Sequence, residues 1–302
     1  MNSRTFLIAG IGAANLLLLS GCASSPRTEV PRIAEQELRS ENLDVLFATE
    51  FPVASRGEAL AHANAAMQTG DFERGLFYYV KALKFQPDDA ALLVRIGQVH
   101  EYRHDIEHAV RAYTLALRSD PDNVLALEGR GLLLLANGEA LYAEADLRRA
   151  VSVEVSAWRA HNGLGLLADA EGEHATAIGH YTSALALQPG SPMLLNNRGY
   201  SSLLAGRPKE AEADLRAAAG MGYERAWINL GVVLASDRRY EEAVAAFSEV
   251  LSEAEAMNKA GATALENSDV VIAERLFKSA IEASPVYFPA AEENLAQVAR
   301  TG

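Results

Sequence analysis

Residues 90–123 read AALLVRIGQVHEYRHDIEHAVRAYTLALRSDPDN, and residues 124–157 read VLALEGRGLLLLANGEALYAEADLRRAVSVEVSA. The two stretches have equal length, and both carry glycine or alanine at the same positions. Three columns of small residues keep a spacing of 34 residues: Gly97, Gly131, Gly165 and Gly199; Ala109, Ala143, Ala177 and Ala211; and Ala82, Ala116, Ala150, Ala184 and Ala218. Such a period indicates an array in which one small structural unit is repeated and stacked.

Aromatic and small residues in an early and a late part of the chain resemble the tetratricopeptide repeat (TPR): Asp71-Phe72, Tyr79, Ala82-Leu83 and Pro87, then Trp227, Leu230-Gly231, Tyr240, Ala243 and Phe247. The resemblance implies an all-α fold, a right-handed superhelical solenoid of helix-turn-helix units. Glycines 70, 138, 172 and 206 fall where the turn inside each unit is expected, and a positive φ favours glycine there.

The period divides the chain into seven repeats and a cap. The repeats are predicted at residues 56–89, 90–123, 124–157, 158–191, 192–223, 224–253 and 254–287. A capping helix from about Pro289 to Arg300, within residues 288–302, has Ala291, Leu295 and Val298 on one side and charged or polar residues on the other. A polar outer face is what ends a repeat array without aggregation.

Composition narrows the class of protein. The 302 residues are 49% hydrophobic, which is enough to bury a core and excludes a wholly disordered chain. The formal net charge of −13 disfavours binding to nucleic acid, because an acidic protein repels phosphate. A single cysteine excludes an internal disulfide framework and any zinc site with several thiolates.

That cysteine follows an apolar segment, Thr5 to Leu19, with the length of a signal-peptide core. Leu19-Ser20-Gly21-Cys22 resembles the lipobox of bacterial lipoproteins. The resemblance implies cleavage after residue 21, acylation of Cys22 (including palmitate) and, since Ala23 follows, sorting to the outer membrane with the folded part in the periplasm. Residues 22–55 would then be a flexible tether. An ordinary signal peptide with a buried cysteine is the alternative.

Two repeats carry a charged residue where the others carry an apolar one. Arg130 and Arg198 precede the glycine column in repeats three and five, and only there does an aspartate follow 16 residues later, at Asp146 and Asp214. The sequence therefore predicts Arg130–Asp146 and Arg198–Asp214 ion pairs between the two helices of a repeat. Independent, solvated charges are the alternative, and either role is structural.

No stretch predicts catalysis. The sequence has no P-loop, Gly-x-Ser-x-Gly or His-Glu-x-x-His motif, and Cys22 is expected to be acylated. His100, His104 and His108 are spaced by four, but the predicted turn at His104 separates the other two, so no metal site is expected. We therefore expect no enzyme activity, no cofactor and no small-molecule substrate.

In the family, the first helix of each repeat lines a concave groove, and its inward positions here are mainly leucine, tyrosine and asparagine. The resemblance places the following residues in a partner-binding groove: Glu128, Leu132, Leu135, Asn162, Leu166, Asn196, Asn197, Tyr200, Leu203, Asn229, Val232 and Asn258, with Gln98, Glu101, Asp169, Ile228 and Leu265 beside them. An apolar groove suits an amphipathic helix, and amides suit an extended peptide. Packing for the leucines, and repeat consensus for Asn229, are the alternatives.

The lipobox and certain repeat segments resemble the TadD-type lipoprotein of the tight-adherence (Flp) pilus system. The segments are residues 196–200, 203–207, 225–231, 253–256 with Asn258, and 284–285 with Tyr287 and 294–295. This resemblance implies a pilotin-like scaffold that binds a secretin or pilus component of a Tad/Flp or type IV-type pilus. The alternative is an envelope scaffold that docks peptidoglycan hydrolases or other outer-membrane assembly partners.

Overall fold

The computed structural model describes residues 53–301, which form fifteen α-helices and no β-strand. The helices are α1 Arg56–Gln68, α2 Phe72–Leu83, α3 Ala90–Tyr102, α4 Ile106–Ser119, α5 Val124–Ala136, α6 Ala140–Val153, α7 Trp158–Ala170, α8 His174–Leu187, α9 Pro192–Leu204, α10 Pro208–Gly220, α11 Glu224–Ser236, α12 Tyr240–Ser248, α13 Glu253–Glu266, α14 Val270–Ala283 and α15 Pro289–Thr301. The all-α helical-repeat class is confirmed. Cys22, the signal segment and nearly all of the tether lie outside the described residues.

Two compact units divide the chain within α7, one ending at Gly163 and the other beginning at Leu164. In unit 1, the helices pack in consecutive pairs, α1 with α2, α3 with α4 and α5 with α6, and α3 also contacts α5. In unit 2, the pairs are α9 with α10, α11 with α12 and α13 with α14. The first helices of neighbouring pairs there contact one another in the order α9, α11, α13 and α15.

The turn inside each pair has the left-handed residue that the glycine positions indicated. Gly138 has φ of 81°, and Gly70, Gly172 and Gly206 have values between 72° and 79°. The same turn is made without glycine by His104, Arg238 and Ser268, with φ between 58° and 63°. The repeat geometry, and not the glycine side chain alone, therefore sets this backbone conformation.

Each pair closes around one large side chain of its second helix. The side chains of Tyr113, Leu147, Tyr181, Leu215, Phe247 and Phe277 are completely buried. Small residues of the first helices make room for them: a Cβ atom added to Gly97 would lie 2.7 Å from the ring of Tyr113, closer than side chains approach. The glycine column is therefore a packing requirement, and the alanine columns, also fully buried, serve the same contact between helices.

Candidate functional site

The predicted groove residues of unit 1 lie on α5 and α7, and Glu128 is not part of an open surface. Its side chain is 4% exposed and accepts a hydrogen bond of 3.0 Å from the backbone N–H of Ala160, in the first turn of α7. Burial raises the pKa of Glu128, although this hydrogen bond opposes the shift. The assignment of Glu128 to partner binding is corrected, because its carboxylate satisfies the start of the next first helix.

Polar contacts also occupy the rest of this face in unit 1. Glu101 accepts a hydrogen bond of 2.7 Å from the hydroxyl of Tyr113 and pairs with Arg159 at 3.1 Å. Leu132 and Leu135 are half-buried, and Asn162 is buried. A Cβ atom on Gly163 would lie 2.9 Å from Leu132, so this leucine packs on the backbone of α7. In unit 1 the polar residues of this face are thus engaged in contacts within the unit, and its two leucines on α5 are half-buried.

In unit 2, asparagines tie neighbouring first helices together. The Nδ2 of Asn229 donates to Oδ1 of Asn196 at 2.8 Å, and Asn196 is only 7% exposed. Farther along, the Nδ2 of Asn294 donates to Oδ1 of Asn258 at 3.0 Å. The sequence had assigned Asn196, Asn229 and Asn258 to a partner. Asn196 and Asn229 bond one another, and Asn258 bonds α15, because the first helices lie side by side. Their contact with a partner stays a prediction.

The apolar members of the unit 2 set remain accessible. Leu203, Ile228, Val232 and Leu265 are half-buried and pack against the core of the unit. Tyr200, on the same first helix as Leu203, is also half-buried, as is Asn197, while Leu166 is 39% exposed. We call Tyr200, Leu203, Ile228, Val232 and Leu265 the apolar strip. Leu203, Ile228, Val232 and Leu265 pack against the core, and all five side chains keep part of their surface accessible, as a preformed apolar contact surface does.

Asp169 is the polar group next to this strip. The sequence did not predict the polar contacts that its carboxylate makes. Its Oδ2 accepts from the hydroxyls of Ser201 at 2.5 Å and Tyr181 at 3.0 Å, and its Oδ1 lies 3.0 Å from Nδ1 of His174. Burial and the charge of Asp169 raise the pKa of Tyr181, so this tyrosine stays neutral and donates to the carboxylate. The same two causes raise the pKa of Tyr200. An acidic residue 12 positions before a tyrosine, repeated at Glu101 and Tyr113, was the available signal.

Each predicted arginine lies against its aspartate. The Nε and Nη2 atoms of Arg130 contact the two carboxylate oxygens of Asp146 at 2.7 and 2.8 Å, and Arg198 contacts Asp214 at the same two distances. Both pairs are two-point contacts between first and second helices of one repeat. Such a planar contact holds two helices in a fixed orientation.

The histidines required a correction. The turn at His104 was expected to keep His100 and His108 apart, but their rings stack with centroids 5.2 Å apart. Asp105 joins them, with carboxylate oxygens 3.1 Å from Nδ1 of His100 and 2.8 Å from Nδ1 of His108. Burial lowers the pKa of His100, and the nearby Asp105 only partly offsets this. Because Asp105 also caps α4, the cluster fastens the turn.

A family model described as tetratricopeptide repeat matches residues 94–141, 141–192 and 197–258, and a second one with the same description matches residues 60–89. The human tetratricopeptide repeat protein 7A is 29% identical over 135 residues, which are 45% of this chain and only 16% of the human protein.

Two solved structures have a similar fold. A tetratricopeptide repeat protein from Parabacteroides merdae has a TM-score of 0.57 at 19% identity, over 81% of this chain and 98% of that one. YrrB, described as a TPR protein with an unusual peptide-binding site, has a TM-score of 0.50 at 22% identity, over 61% and 98%. Within residues 53–301, no helix combines the length and hydropathy that crossing a bilayer requires.

Proposed function

The chain belongs to the tetratricopeptide repeat family, and we propose that it is a non-enzymatic scaffold that binds a segment of another protein on the apolar strip of unit 2. The observation that carries this proposal is the strip itself: four of its five side chains pack against the core of unit 2, and all five remain partly accessible. Apolar side chains of this kind contribute binding energy when a partner removes them from water.

The chemistry of the strip favours a helical occupant over an extended one. An extended peptide needs free amide groups along the groove, and Asn196, Asn229 and Asn258 are engaged in hydrogen bonds within the unit. An amphipathic helix needs a row of apolar contacts, which Tyr200, Val232 and their neighbours provide. The proposed ligand is therefore an amphipathic helix of an envelope assembly protein.

Leu203→Asp combined with Val232→Asp is expected to reduce partner capture by at least about tenfold, because two carboxylates would have to be desolvated against an apolar helix face. The measurement is a crosslinking pull-down from the native envelope. Val271→Asp is the matched control, since Val271 is an apolar residue of unit 2 that is 78% exposed on α14. Undiminished capture by the double variant, with the helical circular dichroism of the parent, would exclude the strip as the binding surface.

The finer proposal is a lipid-anchored, pilotin-like assembly factor of a Tad/Flp or type IV-type pilus at the outer membrane. It is supported by the lipobox-like segment ending at Cys22 and by the repeat segments that resemble TadD-type lipoproteins, of which residues 225–231 are the longest. Two or more acyl chains on one residue anchor a protein stably, because each buried methylene contributes about 0.8 kcal/mol.

Cys22→Ser is expected to release the chain from the outer-membrane fraction and to lower the amount of secretin multimers or surface pili, because serine cannot be acylated as the lipobox cysteine is. Membrane fractionation with palmitate labelling, and quantification of multimers and pili, measure the two effects. Ser24→Ala, two residues away, serves as the control. Retained membrane attachment contradicts the anchor. Release with unchanged multimers and pili contradicts the pilotin-like role.

A further inference from the structure

A cavity of about 310 Å³ opens in unit 1 between α4, α5 and α6. Three arginines line it, Arg118 from α4, Arg130 from α5 and Arg149 from α6, together with a single acidic residue, Asp146. Leu117 and Leu127 form part of its apolar wall. In a chain with a net charge of −13, a cavity with three guanidinium groups and one carboxylate is a local reversal of sign.

The three arginines are not equally engaged. Arg130 is fully committed to Asp146 through its two-point contact. Arg149 pairs with Asp122 at 2.9 Å, but both side chains are about half exposed or more, so water and salt weaken that contact. Arg118 forms no hydrogen bond or ion pair with any residue in the described range 53–301. Two guanidinium groups are therefore accessible to an anion.

Six of the eight residues that line the cavity, all except Arg118 and Arg149, have identical counterparts in unit 2. We call such a set of six residues a frame. The counterparts lie 68 residues, or two repeat periods, farther along the chain. They are Thr182, Leu185, Pro189, Leu195, Arg198 and Asp214. The positions of Arg118 and Arg149 are taken by Ala186 and Ala217, and that of Asp122 by Gly190. The Arg198–Asp214 contact has the same distances as the Arg130–Asp146 contact.

Comparison of the two frames shows which residues the helix packing needs and which only add positive charge, namely Arg118 and Arg149. The helices that carry the two frames begin at matching positions. In addition, α8 ends at Leu187, which is 68 residues after the end of α4 at Ser119. Arg118 lies in the last turn of α4, whereas the last turn of α8 contains no basic residue. A helix at this place in the repeat therefore forms without that charge. The fold therefore does not require Arg118 or Arg149 at these positions. Arg149 is accompanied by its partner Asp122, whereas no ion pair within residues 53–301 accounts for Arg118.

We propose that this cavity binds the carboxylate of a glutamate or aspartate side chain in a partner peptide. Guanidinium groups hold a carboxylate through two parallel hydrogen bonds, which a lysine does not reproduce. Arg130 is two positions from both Glu128 and Leu132 on α5, so the cavity and the predicted groove positions lie on opposite sides of that helix. The site shares no residue with the apolar strip of unit 2, and its failure would leave the proposed function standing.

The test is calorimetric titration of the purified full-length chain with the peptide acetyl-Leu-Glu-Leu-amide and with its glutamine counterpart. The glutamate peptide is expected to bind at least about tenfold more tightly, and Arg118→Ala with Arg149→Ala, which copies the second frame, should remove that preference. Both positions are exposed, so the parent circular dichroism is expected. Equal affinity for the two peptides, or an unchanged preference in the double variant, overturns the proposal.

The second frame supplies a gain-of-function arm. Ala186→Arg with Ala217→Arg, at two exposed positions, is expected to add a second site of similar affinity for the glutamate peptide. A stoichiometry that stays at one contradicts the assignment of the affinity to these arginines. Inorganic phosphate is the remaining probe. Displacement of the peptide by phosphate at equal concentration would show a site for free anions and would overturn the peptide assignment.

Discussion

Asp146→Ala is expected to lower the free energy of unfolding by about 3 kcal/mol, the largest loss we expect from one charged residue of unit 1. The side chains of Arg130 and Asp146 are 17% and 10% exposed, so removal of the carboxylate leaves a mostly buried guanidinium group without its counter-ion. The Oγ1 of Thr114, 3.3 Å from Nη1, is the remaining side-chain contact of Arg130 and carries no charge. Urea unfolding followed by circular dichroism measures the loss.

The control replaces both members of the pair by residues that another repeat already uses. Leu230 and Ala246 take the corresponding places on α11 and α12, where they are 1% and 5% exposed. Arg130→Leu with Asp146→Ala is therefore expected to recover most of the stability, since a well-packed apolar pair is often as stable as a buried ion pair. A double variant as unstable as Asp146→Ala alone would show that lost packing, and not the unpaired charge, determines the effect.

The packing of large against small side chains within each repeat was the part of the fold that could best be predicted from the sequence. Gly97 and Tyr113 recur at fixed spacing because each pair of helices must leave room for one large side chain, and that demand is local to the repeat. The pairing of Arg130 with Asp146 was inferred for the same reason: a constraint between two helices of one repeat appears as a substitution of both residues at once.

The contacts between repeats were harder to infer. Whether Glu128 or Asn196 faces a ligand or the next first helix depends on the angle between neighbouring repeats, which the spacing of residues does not specify. His100 and His108 were misjudged because the turn at His104 was expected to keep the two rings apart. The turn reverses the chain, so residues eight positions apart return to the same place and stack.

Gly129→Ala and Gly179→Ala are expected to change stability in opposite directions, although both replace a glycine inside a helix. A Cβ atom on Gly129 would overlap with Cζ of Tyr113, whose ring is completely buried. The ring cannot move away, because Gly97 lies close to it as well, with the corresponding Cβ position 2.7 Å from the ring. Overpacking of this kind costs about 1–3 kcal/mol, which exceeds the gain of about 1 kcal/mol in helix propensity.

Gly179 is the matched position at which an added Cβ atom would not overlap with another side chain. It is an exposed residue within α8, and a Cβ atom there would have no neighbour within 4 Å. Alanine at this position should therefore stabilise the protein by about 0.5–1 kcal/mol, because it restricts the unfolded chain and favours the helix. Urea midpoints of the two variants give both signs in one experiment. If Gly129→Ala were also stabilising, the ring of Tyr113 would have room to move, and close packing could not explain the glycine at position 129.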